Sequence, residues 1–149
     1  MELSSGPFPP ARGFLAVFLA WFLSQTIKVV RGVLTKGRFN FRWLFDTGGM
    51  PSSHSASVAA LAAVVGLYYG FGSVPFLMAL IFAVVIMFDA AGVRRSVGRQ
   101  AGILNKMLDD LYLKGQVPEA RLKELLGHTP FEVFTGALLG VLLSMLLCR

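Results

Sequence analysis

The stretch TGGMPSSHSASVAALAAVVGLYYGFGSVPFLMALIFAVVIMF, Thr47 to Phe88, contains no Lys, Arg, Asp or Glu. A hydrocarbon core of ~30 Å takes about 20 residues of helix, so this run is too long for one membrane crossing and suits two. Gly70, Gly72 and Pro75 break the apolar pattern where a hairpin between two crossings is needed. A second span is therefore expected from about Ser53 to Tyr69. A third is expected from about Val74 to Phe88 or slightly beyond.

Two further apolar runs lie outside this stretch. The first span is expected from Gly13 to Ile27, with Arg12 and Lys28 snorkelling at its ends. The fourth is expected from Pro130 to Leu147. Across the 149 residues, 55% are hydrophobic and 15% charged, with a mean hydropathy of +0.66. A soluble domain carries about a quarter charged residues. The expected fold is all-α: a polytopic transmembrane helix bundle of about four spans, with amphipathic helices in a charged loop. No repeat or low-complexity linker divides the chain, so residues 1–149 read as one integral membrane domain. Glu2, Pro7, Pro9 and Pro10 stand where a signal peptide needs basic residues. The single Cys148 leaves no intrachain disulfide.

The net charge of +6 is not spread as nucleic-acid binding would need, because the basic residues flank the apolar runs. Every Lys and Arg except Arg12 and Arg149 falls between spans one and two or between spans three and four. With four spans these loops share one side, and the Gly70–Pro75 hairpin on the other side has no charge. The positive-inside bias then makes both loops cytoplasmic and both termini external, in a multi-pass protein of the cell membrane. Within the second loop, Val97, Ala101, Leu104, Met107, Leu108 and Leu111 recur at helical spacing. A helix is expected there, either on the membrane face or continuing the third span. Pro118, then Glu119 to Leu126 and Gly127, suggests a second short helix.

The polar residues of interest collect at the starts of spans two and four. In Gly48-Gly49-Met50-Pro51-Ser52-Ser53-His54-Ser55, a tight glycine loop feeds a helix N-terminus, which suits a phosphate. The bland alternative is a serine-capped helix start. In Gly127-His128-Thr129-Pro130-Phe131-Glu132, Thr129 and Glu132 form a capping box, with Pro130 at the first helical position. Glu132 has a second candidate role, holding a ring nitrogen of His128 and fixing its tautomer. His54 and His128 are the chain's two histidines, and the topology puts them at one depth. Lys28, Arg31, Arg94, Arg95 and Asp89 fall at the same level, Asp89 with a structural arginine pair as its plain reading. Such a set describes a phosphoester or headgroup site. A metal held by His54, His128, Asp89 and Glu132 is disfavoured by the excess of cations, and no cofactor is implied.

Gly49-Met50-Pro51-Ser52-Ser53-His54 resembles the Pro-Ser-Gly-His motif of the type 2 phosphatidic acid phosphatase superfamily, which includes the vanadium haloperoxidases. His128 to Glu132 resembles the end of its third motif, His-x-x-x-Asp. Closer still is the superfamily's divergent branch of small bacterial and plastid membrane proteins. That branch is matched by Phe88-Asp89-Ala90-Ala91-Gly92-Val93-Arg94-Arg95, by Gly98, Gln100-Ala101 and Leu104-Asn105, and by Gly127-His128-Thr129-Pro130 with Glu132-Val133 and Gly136. The resemblance covers about Lys28 to Gly140 and would place a plant chain in a plastid membrane. It implies a metal-independent site in which His128 attacks phosphorus, Glu132 orients it and His54 is the general acid. Lys28, Arg31, Ser52, Ser53, Arg94 and Arg95 would hold the phosphate, with Asp89 supporting. The chain departs from the pattern at Ser53 for glycine, Glu132 for aspartate, Thr35 and Leu122 for arginines, and the absence of proline after Thr35.

Three functions stay open on the sequence: hydrolysis of a lipid phosphate through a phosphohistidine, non-hydrolytic binding or transport of a phosphorylated lipid, and a structural or assembly role. The expected partners are membrane lipids and a phosphorylated lipid, and not nucleic acid. Small residues such as Gly136 and Gly140 would permit close helix packing, within one chain or in a homo-oligomer. The topology makes a direct prediction. In a Cys148→Ser background, a cysteine introduced by Lys114→Cys reacts with an impermeant thiol reagent only from the cytoplasmic side. Labelling from outside alone would invert the orientation.

Overall fold

The computed structural model describes residues 7–37, 49–112 and 128–148. Among these, the regular structure is helical: α1 Pro10–Lys36, α2 Ser53–Tyr69, α3 Val74–Phe88, a π-helical turn Asp89–Val93, α4 Arg94–Tyr112 and α5 Pro130–Leu147. The short helix expected over 119–126 lies outside the described residues, as do Arg38, Arg42, Asp46, Lys114, Arg121 and Lys123.

Local signals explain the boundaries. Pro10 occupies the first turn of α1, where its missing N–H costs nothing. Gly37, with φ 64°, ends that helix in a left-handed cap whose N–H donates to the carbonyl of Val33 at 2.8 Å. Ser52 caps α2, Ser73 caps α3 and Thr129 caps α5, each hydroxyl accepting a first-turn amide. The first helix is longer than the apolar run suggested. Lys28 does not snorkel out at its end but turns inward, 9% exposed, and the helix continues two further turns to Lys36.

Three helical runs are long and apolar enough to cross a membrane: Pro10–Thr35, Val74–Asp109 and Pro130–Leu147. The helix Ser53–Tyr69 is apolar but has only 17 residues, the low end of a crossing. It is also the centre of the bundle, packing against α1, α3 and α5, while α1 also packs on α5. The protein is thus an all-helical integral membrane protein. Its interior is built mostly of small side chains, with Ala20, Ala56 and Ala60 at one level and Ala16 and Cys148 around Phe8 at another. The large apolar residues face outward, including Phe14, Phe88 and Leu34. That inversion is what lipid-facing helices require, since close backbone approach and not hydrophobic exclusion holds them together.

The tightest seam joins α2 and α5. A Cβ on Gly136 would collide with the carbonyl of Ser52, and one on Gly140 with the carbonyl of Ala56. One turn on, the Ser144 hydroxyl donates to the carbonyl of Ala60 at 3.1 Å. The Gly136–Gly140 pair is therefore consumed inside the chain and does not supply a contact to a second copy. Because the obstacles are backbone atoms that cannot rotate away, Gly136→Ala and Gly140→Ala should each lower stability by about 1–3 kcal/mol. Gly72→Ala, where a Cβ meets nothing within 4 Å, should change it by under about 0.5 kcal/mol. Denaturation of the purified protein in mixed micelles measures the difference.

Candidate functional site

The seam between α2 and α5 brings two helix N-termini together. The amide of Ser52, the N-cap of α2, donates to the carbonyl of Glu132 in the first turn of α5 at 3.0 Å. The Ser52 hydroxyl accepts from the amide of Ser55 at 3.3 Å and from its hydroxyl at 3.0 Å. Ser52 is fully buried. The resemblance assigns this serine to phosphate; its amide is taken by the helix junction, and its hydroxyl oxygen accepts both bonds of the cap.

With the two N-termini joined, the histidines converge. His54, half-buried in the first turn of α2, has its ring centroid 6.3 Å from that of His128, the planes tilted by 57°. His128 is 1% exposed. Its Nδ1 lies 3.2 Å from Oε2 of Glu132. The same carboxylate oxygen accepts the amide of Thr129 at 2.9 Å, while the Thr129 hydroxyl accepts the amide of Glu132 at 3.3 Å. Both readings of Glu132 therefore coexist, one oxygen closing the capping box and engaging the imidazole. A carboxylate on Nδ1 favours the tautomer with its proton there, which leaves the lone pair on Nε2.

The basic residues expected around the histidines separate into groups. Lys28 enters the site from α1, its Nζ donating to the hydroxyl of Ser53 at 3.2 Å, beside His54. Arg31, one turn on, is exposed, and no described contact ties its side chain to the site. Arg94 and Arg95 open α4 directly after the π-turn, with side chains outside the described part of the structure. Asp89 begins the π-turn and is half-buried. Among the described residues, no group of three His, Cys, Asp or Glu side chains is arranged to hold a metal.

One participant has no counterpart in the sequence reading. The amide of His128 donates to the carbonyl of Ala90 in the π-turn at 3.1 Å. Apolar periodicity cannot reveal a main-chain acceptor. The Ser53–Lys28 bond was equally hidden, because it pairs a motif position with a helix that ends far from it in the chain.

The helical membrane bundle and its histidine pair, set at joined helix N-termini with a carboxylate on one imidazole, define an integral membrane protein with a polar site built between spans. The chain belongs to the Divergent PAP2 family, whose model matches residues 11–143. It is similar to the Uncharacterized membrane protein YuiD of Bacillus subtilis (strain 168), at 42% identity over 158 residues, covering 99% of this chain and 97% of that protein. No solved structure matches it.

The capping geometry separates the two roles of the carboxylate. Thr129→Ala should cost about 1 kcal/mol of stability, whereas Glu132→Gln should cost less, since glutamine completes a capping box equally well. Unfolding of the two variants side by side checks the order, and a larger loss for Glu132→Gln would assign the carboxylate chiefly to structure.

Proposed function

We propose that this protein is a membrane phosphatase that hydrolyses a lipid phosphate at the cytoplasmic face through a phosphohistidine on His128. The observation that carries the reading is the pair of imidazoles 6.3 Å apart, one backed by a carboxylate at 3.2 Å. Rings this close can serve one bound phosphoryl group, with the nucleophile on His128 and the acid on His54.

In the first step Nε2 of His128 attacks phosphorus, the bond from phosphorus to the lipid oxygen breaks, and protonated His54 gives its proton to that oxygen. The lipid leaves as an alcohol if the substrate is a monoester, or as a phosphorylated lipid if it is a pyrophosphate. In the second step neutral His54 takes a proton from water, the resulting hydroxide attacks phosphorus, and the N–P bond breaks to release inorganic phosphate and restore His128. Glu132 holds Nδ1–H and stabilises the cationic ring as the N–P bond forms. Lys28, at Ser53, with Arg94 and Arg95 at the start of α4, neutralises the charge spread over the phosphoryl oxygens. First-turn amides of α2 add their dipole. Arg31, on the exposed side of α1, has the weaker claim to the phosphate.

Phosphate release by purified protein from a panel of lipid phosphates is the test. His128→Ala should abolish it, and Glu132→Gln should slow it by roughly 10²–10⁴-fold. His54→Ala should hurt poor leaving groups most, because a leaving group already stable as an anion needs no proton. Wild-type protein that binds lipid phosphate, never releases phosphate and never labels on His128 would instead be a binding or transport protein.

A further inference from the structure

The segment Asp89–Val93 is part of a motif that the catalytic reading leaves without a task. In an α-helix each carbonyl is taken by the amide four residues on. A π-turn is a one-residue widening of that ladder, and it releases carbonyl groups from it. Here the widening falls between α3 and α4, and the carbonyl of Ala90 points across to α5, where it accepts the amide of His128 at 3.1 Å. Ala90 is 2% exposed and His128 1%, so this bond is sheltered from water. His128 precedes the N-cap Thr129 and so lies outside any helix, where no helical ladder holds its main chain.

We infer that the π-turn is the positioning element for His128. It fixes the main chain from which the imidazole projects, as Glu132 fixes the ring. The two restraints are complementary. Glu132 sets the rotation of the imidazole through Nδ1, and Ala90 sets the height of its Cα relative to His54. Without the π-turn, the carbonyl of Ala90 returns to its own helix and the His128 main chain loses its anchor. This inference rests on the phosphatase reading for its kinetic consequence alone; the positioning itself is measured without turnover.

Two histidines in the chain make selective labelling decisive. In full-length protein labelled with ¹⁵N-histidine, the His128 amide should exchange at least about tenfold more slowly than an unprotected amide, although it lies outside a helix. Exchange at the unprotected rate would overturn the inference with no variant needed. The variant to make is deletion of Ala91, which closes the wide turn into regular α-helix. The control is deletion of Ile103, an exposed residue within α4, which also shortens the run by one residue but leaves the π-turn in place. Loss of the π-turn should abolish the slow exchange and shift the His128 imidazole resonances away from a single Nδ1–H tautomer, with the His54 resonances and the helical content retained. With a turned-over substrate, kcat should fall by roughly 10²-fold with KM little changed. Deletion of Ile103 should move none of these. Equal effects of both deletions would show that α4 as a whole, and not the π-turn, holds the site. If wild type releases no phosphate, the exchange and imidazole measurements still decide the inference, and only the phosphatase reading falls.

Discussion

Everything at the polar end of the bundle depends on how closely α2 and α5 approach. Main chain rests on main chain there, because Gly136 and Gly140 present no side chain to Ser52 and Ala56. Only at that separation can the Ser52 amide reach the Glu132 carbonyl. That single bond sets the two helix starts level, and the histidines follow from it, one in the first turn of α2 and one just ahead of α5. Lipid offers no hydrophobic drive to press helices together, so the contact must be made by small residues and polar main-chain bonds.

Much of this was legible in the sequence. The charge-free run from Thr47 to Phe88 marked two apolar helices, and its serines, glycines and prolines marked their ends. The starts of α2 at Ser53 and of α5 at Pro130 fall where capping chemistry put them, and α5 ends at Leu147, where the apolar run stops. The pairing of Glu132 with His128 was readable because His128 stands just ahead of the N-cap Thr129, whose capping box turns Glu132 back toward the helix start. What escaped was set by contacts between distant segments. Lys28 read both as a snorkelling end and as a cation level with the histidines; its inward turn goes with a bond to Ser53 that the sequence alone does not pair. The π-turn left no signature, since Asp89 to Val93 reads as ordinary helix.

The departures from the family pattern acquire physical sense in this light. Ser53 stands where the motif has glycine, and its hydroxyl receives the Lys28 ammonium. A glycine there would leave that ammonium to find another acceptor. Glu132 stands where the motif has aspartate, and its extra methylene lets one oxygen serve the Thr129 amide and the imidazole together. Each replacement is therefore tied to a neighbour, and neither is interchangeable alone with the residue of the broader pattern.

The third helix has one buried residue, Ala83, and among the helices it leans chiefly on α2. Most of its large apolar residues are exposed, so few contacts within the chain fix its height and tilt. Its 15 residues span about 22 Å, and the helical run long enough to cross a membrane continues through the π-turn to Asp109. The π-turn continues directly from its end, and the His128 main chain hangs from that turn. Any movement of that run along its axis is thereby passed to the main chain that carries an imidazole.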